Sequence, residues 1–135
     1  MSDELNILIP QIDGPNLVSG ELAVVTPVRV RQMASVFLCR CGRSHDKPFC
    51  DGAHVRAEFS DPAQLPAKFE SVAIGIGTLT IRPLPDGPNR CEGPLVIRSS
   101  DGRTASSNLT FLCRCGQSQK KPYCDGTHKK IGFRG

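Results

Sequence analysis

Two copies of one cysteine-rich stretch constrain this chain more than any other feature. CRCGRSHDKPFCDGAH spans residues 39–54 and CRCGQSQKKPYCDGTH spans residues 113–128, and they match at eleven of sixteen positions with an offset of 74. The likeness extends outward, because Asp-Gly-Pro-Asn at residues 13–16 recurs at residues 86–89 and Phe59 matches Phe133. The chain is therefore a duplication, which we divide at a Pro-punctuated segment into residues 1–66 and 67–135.

Each repeat predicts the same short elements in the same order. Apolar residues alternate over residues 5–9, with Leu5, Ile7 and Ile9 on one face, and again at Leu79 and Ile81, which predicts a half-buried first strand. The Asp-Gly-Pro-Asn quartet predicts a turn. Further strands are predicted at residues 22–25 and 36–38 in the first repeat, and at residues 95–97 and 110–112 in the second.

A short helix is predicted directly after the third cysteine of each stretch. Asp51 and Asp125 are the expected N-caps, since a carboxylate accepts the free N–H groups of a first helical turn. Six Phe, one Tyr and no Trp, together with eleven Pro and thirteen Gly, favour short strands and turns over a helical bundle. We therefore predict a mainly β protein with short helices, a small α+β fold.

Each repeat offers three cysteines and one histidine that can converge on one point. The Cys-x-Cys pair follows a strand, where residues i and i+2 share a face. A loop containing a proline returns the third cysteine, and the histidine follows it by about one helical turn. The candidate donors are Cys39, Cys41, Cys50 and His54 in the first repeat, and Cys113, Cys115, Cys124 and His128 in the second.

Two metal groups suit such a donor set. Three cysteines and a histidine form a tetrahedral site for structural zinc. They also suit a [2Fe-2S] cluster, with two cysteines on one iron and a cysteine and a histidine on the other. The single residue between the first two cysteines favours the cluster slightly, because zinc modules usually separate such a pair by two to four residues.

The pattern C-x-C-x2-S-x3-P-x-C-D-G-[A/T]-H resembles the CDGSH iron–sulfur domain, the mitoNEET family, in both repeats. Ala53 and Thr127 stand where the family's name-giving string has serine. The resemblance implies two [2Fe-2S] clusters, with Cys39 and Cys41 on the inner iron of the first and Cys50 and His54 on its outer iron. Cys113, Cys115, Cys124 and His128 take these roles in the second.

The resemblance also implies an architecture and a function. Single-motif members are homodimers that share a β-rich cap above paired clusters, so a tandem chain is expected to form a monomer with an internal pseudo-twofold dimer. The implied function is electron transfer or cluster transfer to redox or cluster-acceptor proteins, with pH-sensitive histidine ligation. The alternatives are a Cys3His zinc module with a structural or nucleic-acid-binding role, and a redox or pH sensor.

The remaining candidate residues favour ordinary structural roles. Cys91 faces Val18 in the repeat alignment and is expected to be a buried thiol; His45 is not expected to be a ligand, because the second repeat has Gln119 there. Ser44 and Ser118 are expected to close their loops. No catalytic arrangement stands out, so no enzymatic activity is expected.

Net charge and the start of the chain bear on partners and location. The net charge is +4, with −2 in residues 1–66 and +6 in residues 67–135, but no aromatic residues alternate with the charges as in nucleic-acid platforms. The chain has no apolar run of membrane-spanning length and no basic signal-like start. We therefore expect no nucleic-acid or membrane partner and a cytoplasmic location.

Overall fold

The computed structural model describes residues 5–67, 69 and 71–135. Each repeat contains three strands followed by a one-turn helix. The elements are β1 (Ile7–Pro10), β2 (Asn16–Val25), β3 (Val30–Leu38), α1 (Ala53–Arg56), β4 (Leu79–Pro83), β5 (Asn89–Arg98), β6 (Thr104–Leu112) and α2 (Thr127–Lys130). With 38% strand and 6% helix, the structure confirms the predicted small, mainly β fold.

The six strands form one sheet in which the repeats are interleaved. The long strand β2 pairs antiparallel with β1 and β3, and β5 pairs antiparallel with β4 and β6. The first strand of each repeat also lies parallel to the long strand of the other, β1 with β5 and β4 with β2. The pairings β1–β2–β4–β5–β1 therefore form a ring with pseudo-twofold symmetry, and each repeat completes the sheet of the other.

The exchange of partners takes place at a glycine near the middle of each long strand. The pairing of β2 with β3 shifts register between Ser19 and Leu22, and Gly20 lies there at a φ of 136°. A Cβ at Gly20 would overlap the side-chain oxygen of Asn6. That oxygen accepts the N–H of Glu21 at 2.8 Å, while the Asn6 amide donates to main-chain oxygens of the second repeat, those of Gly77 and Pro94. Asn6 therefore links the two repeats at the point where the strand bends.

The main hydrophobic core, which belongs to the six-stranded sheet, contains residues of both repeats. Its fully buried members include Leu8, Val24, Leu79, Ile81 and Ile97. The predicted inward face is correct for β4, where Leu79 and Ile81 are buried. It is wrong for β1.

The alternation in β1 is correct, but the opposite face is buried. Leu8 is fully buried and Leu5 is 44% exposed, while Ile7 and Ile9 are half-buried. The polar residue Asn6 is tolerated on the buried face because its hydrogen bonds to the second repeat satisfy it.

The segment that joins the repeats packs against the second repeat. Leu65 is buried in the shared core, and the main-chain oxygen of Ala63 accepts the N–H of Ser100 at 2.8 Å. Among the residues that the structure describes, no helix is long and apolar enough to cross a membrane.

Candidate metal centres

The structure brings the two cysteines that follow β3 close together. Cys39 and Cys41 are buried, and their sulfur atoms lie 3.7 Å apart. The loop then returns to the strand, because Cys39 N–H donates to the Pro48 oxygen at 2.8 Å and Cys50 N–H donates to the Phe37 oxygen at 2.9 Å. These two bonds hold the third cysteine beside the end of the strand.

Cys50 and His54 form a second pair nearer the surface. The Cys50 sulfur lies 3.6 Å from Nδ1 of His54, and both residues are half-buried. The predicted N-cap Asp51 is wrong, since the residue in that position is Gly52 with a φ of 87°. The Asp51 carboxylate nevertheless accepts N–H groups from Ala53 and His45, at 3.0 and 2.9 Å. Asp51, which precedes the N-cap by one residue, therefore connects the helix to the cysteine loop.

The second repeat reproduces this geometry closely. The sulfurs of Cys113 and Cys115 lie 3.8 Å apart, and the sulfur of Cys124 lies 3.5 Å from Nδ1 of His128. The N-cap is again a glycine, Gly126, and the predicted Asp125 is wrong. The Asp125 carboxylate accepts N–H groups from Thr127 and Gln119, as Asp51 does from the equivalent residues. Both candidate donor sets therefore consist of a buried cysteine pair and an outer cysteine–histidine pair.

The donors of the first repeat line one small pocket. It is lined by all four donors together with Pro15, Arg40, Ser44, Asp51 and Ala53. Over residues 5–67, 69 and 71–135, no group of three or more Cys, His, Asp or Glu side chains converges as one metal ion would require. The arrangement is two close pairs around a shared pocket, and three thiols with one imidazole suit soft or borderline metals such as iron.

Main-chain N–H groups point toward the sulfur atoms. Arg43 N–H donates to the Cys41 sulfur at 3.4 Å, and Gly52 N–H donates to the Cys50 sulfur at 3.5 Å. Burial raises the pKa of Cys41 to about 11, with the charge of Cys39 adding to the rise and the Arg43 N–H opposing it. A metal group bound here must therefore displace a proton from a thiol that is protonated at neutral pH.

The two loops that carry the cysteines touch each other across the pseudo-twofold axis. A Cβ at Gly42 would lie 2.6 Å from the main-chain oxygen of Cys115, and a Cβ at Gly116 would lie 2.6 Å from that of Cys41. Both glycines also have positive φ, 80° and 83°. The two centres are therefore built against each other, and neither loop closes against its own repeat alone.

The other sequence candidates lie where structural roles were expected. Cys91 is 1% exposed, and burial raises its pKa to about 12. The His45 side chain is 90% exposed and does not line the pocket. Ser44 donates to the Phe49 oxygen at 2.6 Å and accepts the Asp46 N–H at 3.0 Å, which confirms its loop-closing role.

Sequence reasoning missed the arginine between the first two cysteines of each repeat. Arg40 and Arg114 are only 3% exposed, and their guanidinium groups lie 5.1 and 5.4 Å from the ring centres of Phe59 and Phe133. The signal was present in the sequence, because the same large cationic residue stands between paired cysteines in both copies. An arginine that occurs between two predicted metal ligands in both repeats indicates that its side chain has a function near the metal site.

A comparison with protein families matches the chain to the family described as iron-binding zinc finger CDGSH type. The match occurs twice, over residues 13–55 and 86–129, which together make up well over half of the chain. Each match lies inside one of the two predicted units, while the boundary between residues 66 and 67 stays a prediction. A search of the curated proteins finds no match.

Proposed function

This chain belongs to the iron-binding CDGSH family, and on that premise we propose that each repeat holds one [2Fe-2S] cluster for electron transfer, cluster transfer or both. Cys39, Cys41, Cys50 and His54 would hold the first cluster, and Cys113, Cys115, Cys124 and His128 the second. The observation that carries the proposal is the division of each donor set into two close pairs.

This division supports a two-iron cluster over a single zinc ion. Zinc bonds are about 2.3 Å to sulfur and 2.0 Å to nitrogen, so one tetrahedral ion needs all four donors at nearly equal separations. In each repeat the two inner sulfurs are close to each other, as are the outer sulfur and imidazole nitrogen. Among the described residues, however, no three such donors converge as a single ion would require. One pair for each iron fits this pattern better.

The protein's own residues favour a group that exchanges electrons or leaves the site. A bound cluster supplies one-electron chemistry and a store of iron and sulfide. Buried Cys39 and Cys41 keep water from the inner side, while half-buried Cys50 and His54 form the side that a partner can reach. Main-chain N–H groups directed at sulfur stabilise negative charge there, which favours the reduced form.

Histidine ligation makes retention of the cluster sensitive to acid in this proposal. Imidazole takes up a proton in mildly acidic solution, and a protonated ring nitrogen cannot bind a metal. The same sensitivity is compatible with a redox or pH sensor. That alternative requires a partner that binds in only one state of the protein.

The proposal includes the setting in which the chain acts. We expect redox or cluster-acceptor proteins as partners, with neither nucleic acid nor membrane, a cytoplasmic location and no enzymatic activity. The interleaved strands and touching loops support a monomer that contains its own pseudo-dimer.

Metal content and colour test the proposal. Anaerobically purified protein should be red-brown and contain about four irons and four acid-labile sulfides per chain. Cys91→Ala should keep the same content, because Cys91 is buried in the core of the sheet and not in the clusters that contain the two cysteine pairs. A colourless protein with about two zinc ions per chain would refute the proposal and favour the zinc module.

A further inference from the structure

Arg40 is held by three acceptors, one of which is a carboxylate. Its Nε donates to the Gly14 oxygen at 2.8 Å and its Nη2 to the Gln11 oxygen at 2.7 Å. Its Nη1 donates to Oδ2 of Asp61 at 2.7 Å, and the two side chains are 2% and 13% exposed. A buried positive charge beside the first donor set is therefore paired with a negative one.

Arg114 repeats this arrangement without the carboxylate. Its Nε donates to the Gly87 oxygen at 2.8 Å and its Nη2 to the Leu84 oxygen at 2.7 Å, matching the first two bonds of Arg40. Within the part of the chain that the structure describes, no acidic side chain lies within ion-pair distance of Arg114.

The cause is a single replacement between the repeats. Asp61 N–H donates to Oδ1 of Asp13 at 2.7 Å, and Gly135 N–H donates to Oδ1 of Asp86 at 2.9 Å. Asp61 and Gly135 therefore occupy the same main-chain position, but Gly135 has no side chain. Asp86 forms an ion pair with the exposed Arg134 at 3.2 Å, and its charge acts on Arg114 only from beyond ion-pair distance. Asp13 holds the equivalent position in the first repeat, so Asp61 is the carboxylate that the second repeat lacks.

Resting on the proposed function, we propose that Asp61 makes the two cluster sites unequal, so that the protein has two distinct reduction potentials. The charges of Arg40 and Asp61 largely cancel in their ion pair, whereas Arg114 has no ion-pair partner among the described residues. A buried positive charge near a cluster favours the reduced form, which carries one more electron, and so raises the potential. Asp61 therefore lowers the reduction potential of one cluster, which has the lower of the two midpoints. It acts through the charge of Arg40 and not by contact with the cluster.

A redox titration of the loaded protein tests this inference. Midpoints are read from the visible spectrum and from the electron paramagnetic resonance signal of the reduced clusters, in wild type, Asp61→Asn and Asp61→Gly. Asparagine keeps an oxygen that can accept from Arg40 and Ala63, and glycine reproduces the residue of the second repeat. Glu92→Gln is the matched control, because it removes one negative charge from an exposed pair with Arg90 on β5.

The reverse substitution, Gly135→Asp, is a poor test. A Cβ at residue 135 would lie 2.8 Å from the Phe133 ring and 2.9 Å from Cδ of Lys47, so it would also disturb the packing around Arg114. Iron and sulfide content is measured on every sample. A failure to load two clusters therefore counts against the proposed function, separately from the result for the midpoints.

The expected result is two midpoints in the wild type, with the lower one rising in both Asp61 variants so that the gap narrows. Glu92→Gln should leave the gap unchanged. A single midpoint in fully loaded wild type would overturn the inference. So would a gap that stays the same or widens in both Asp61 variants, or one that narrows equally in Glu92→Gln.

Discussion

The first and second repeats close their cysteine loops in the same way. Ser44 donates to the Phe49 oxygen and Ser118 to the Tyr123 oxygen, each at 2.6 Å. Lys47 and Lys121 each donate to the main-chain oxygen of that serine, at 2.9 and 3.0 Å. Positions that are identical in both copies therefore include those that shape the loop as well as the candidate donors.

The two repeats differ in charge at several positions in and around the loop. Where the first repeat has Asp46, the second has Lys120; where the first has Val55, the second has Lys129. Asp61, which pairs with Arg40, is replaced by Gly135. The comparison indicates that duplication kept the geometry of the centre and changed the electrostatic surroundings, so substitutions in the loops should act alike in both repeats.

The largest expected effect comes from removing one inner cysteine. Cys39→Ser and Cys113→Ser should each lose about half of the bound iron, because a hydroxyl is a poor replacement for a thiolate that would bind iron, and the other repeat keeps its own donors. Iron and sulfide assays on freshly purified protein measure this.

Loss of all iron from either single variant would contradict independent sites. It would mean that the touching loops at Gly42 and Gly116 make each centre depend on the other.

The second-largest expected effect is the loss of the clusters in acid. The wild type should bleach in mildly acidic solution, because a proton competes with the metal for the imidazole nitrogen. His54→Cys and His128→Cys should each protect about half of the visible absorbance, and the double variant nearly all of it, since thiolate replaces the proton-sensitive nitrogen. Stopped-flow absorbance after a pH jump measures the rates.

His45→Ala is the control, because that side chain is exposed and lies outside the pocket. If the histidine variants bleach as fast as His45→Ala, acid acts elsewhere and the histidine explanation is wrong.

A smaller effect is expected where the two loops touch. Gly42→Ala and Gly116→Ala place a methyl group 2.6 Å from a main-chain oxygen of the other repeat, at a positive φ that disfavours alanine. We expect each to cost about 2–4 kcal/mol in the free energy of unfolding, from backbone strain and overpacking together. Denaturant unfolding of the loaded, reduced protein measures this.

Gly102→Ala separates the two causes. Gly102 has a φ of 88°, but a Cβ added there would have no atom within 4 Å. Gly102→Ala should therefore lower the free energy of unfolding by only about 1 kcal/mol. If Gly42→Ala and Gly102→Ala lower the free energy of unfolding equally, the contact between the loops contributes nothing to the effect of Gly42→Ala.

The smallest effect concerns the lysines that reach across the repeats. Nζ of Lys47 lies 5.8 Å from the Phe133 ring centre, and Nζ of Lys121 lies 5.9 Å from that of Phe59. Lys47→Met and Lys121→Met should each lower the free energy of unfolding by about 1 kcal/mol, from a cation–π contact and a hydrogen bond.

Lys130→Met on the exposed end of α2 is the comparison, with little expected change. A larger loss for one lysine than for the other would show that the repeats differ in packing as well as in charge.

Much of the candidate site could be predicted from the sequence because it depends on local spacing. Cys39 and Cys41 lie two residues apart after a strand, and His54 lies one helical turn after Cys50, so short chain segments bring each pair together. The duplication and the order of the elements along the chain follow from the same local patterns, whereas the parallel pairing of β1 with β5 and of β4 with β2 was not predicted. The N-caps were missed because Gly52 and Gly126 adopt a left-handed conformation between the aspartate and the helix.

Only the tertiary structure decided the features that depend on the other repeat or on chain segments far away. The buried face of β1 is set by its place between β2 and β5, with Asn6 satisfied by Gly77 and Pro94. The ion pair of Arg40 with Asp61 joins residues 21 positions apart in the sequence. Arg114 lacks this partner because Gly135 occupies the main-chain position that corresponds to Asp61. Sequence spacing determines which donors lie together, whereas the charge that surrounds them depends on long-range packing, which no local pattern encodes.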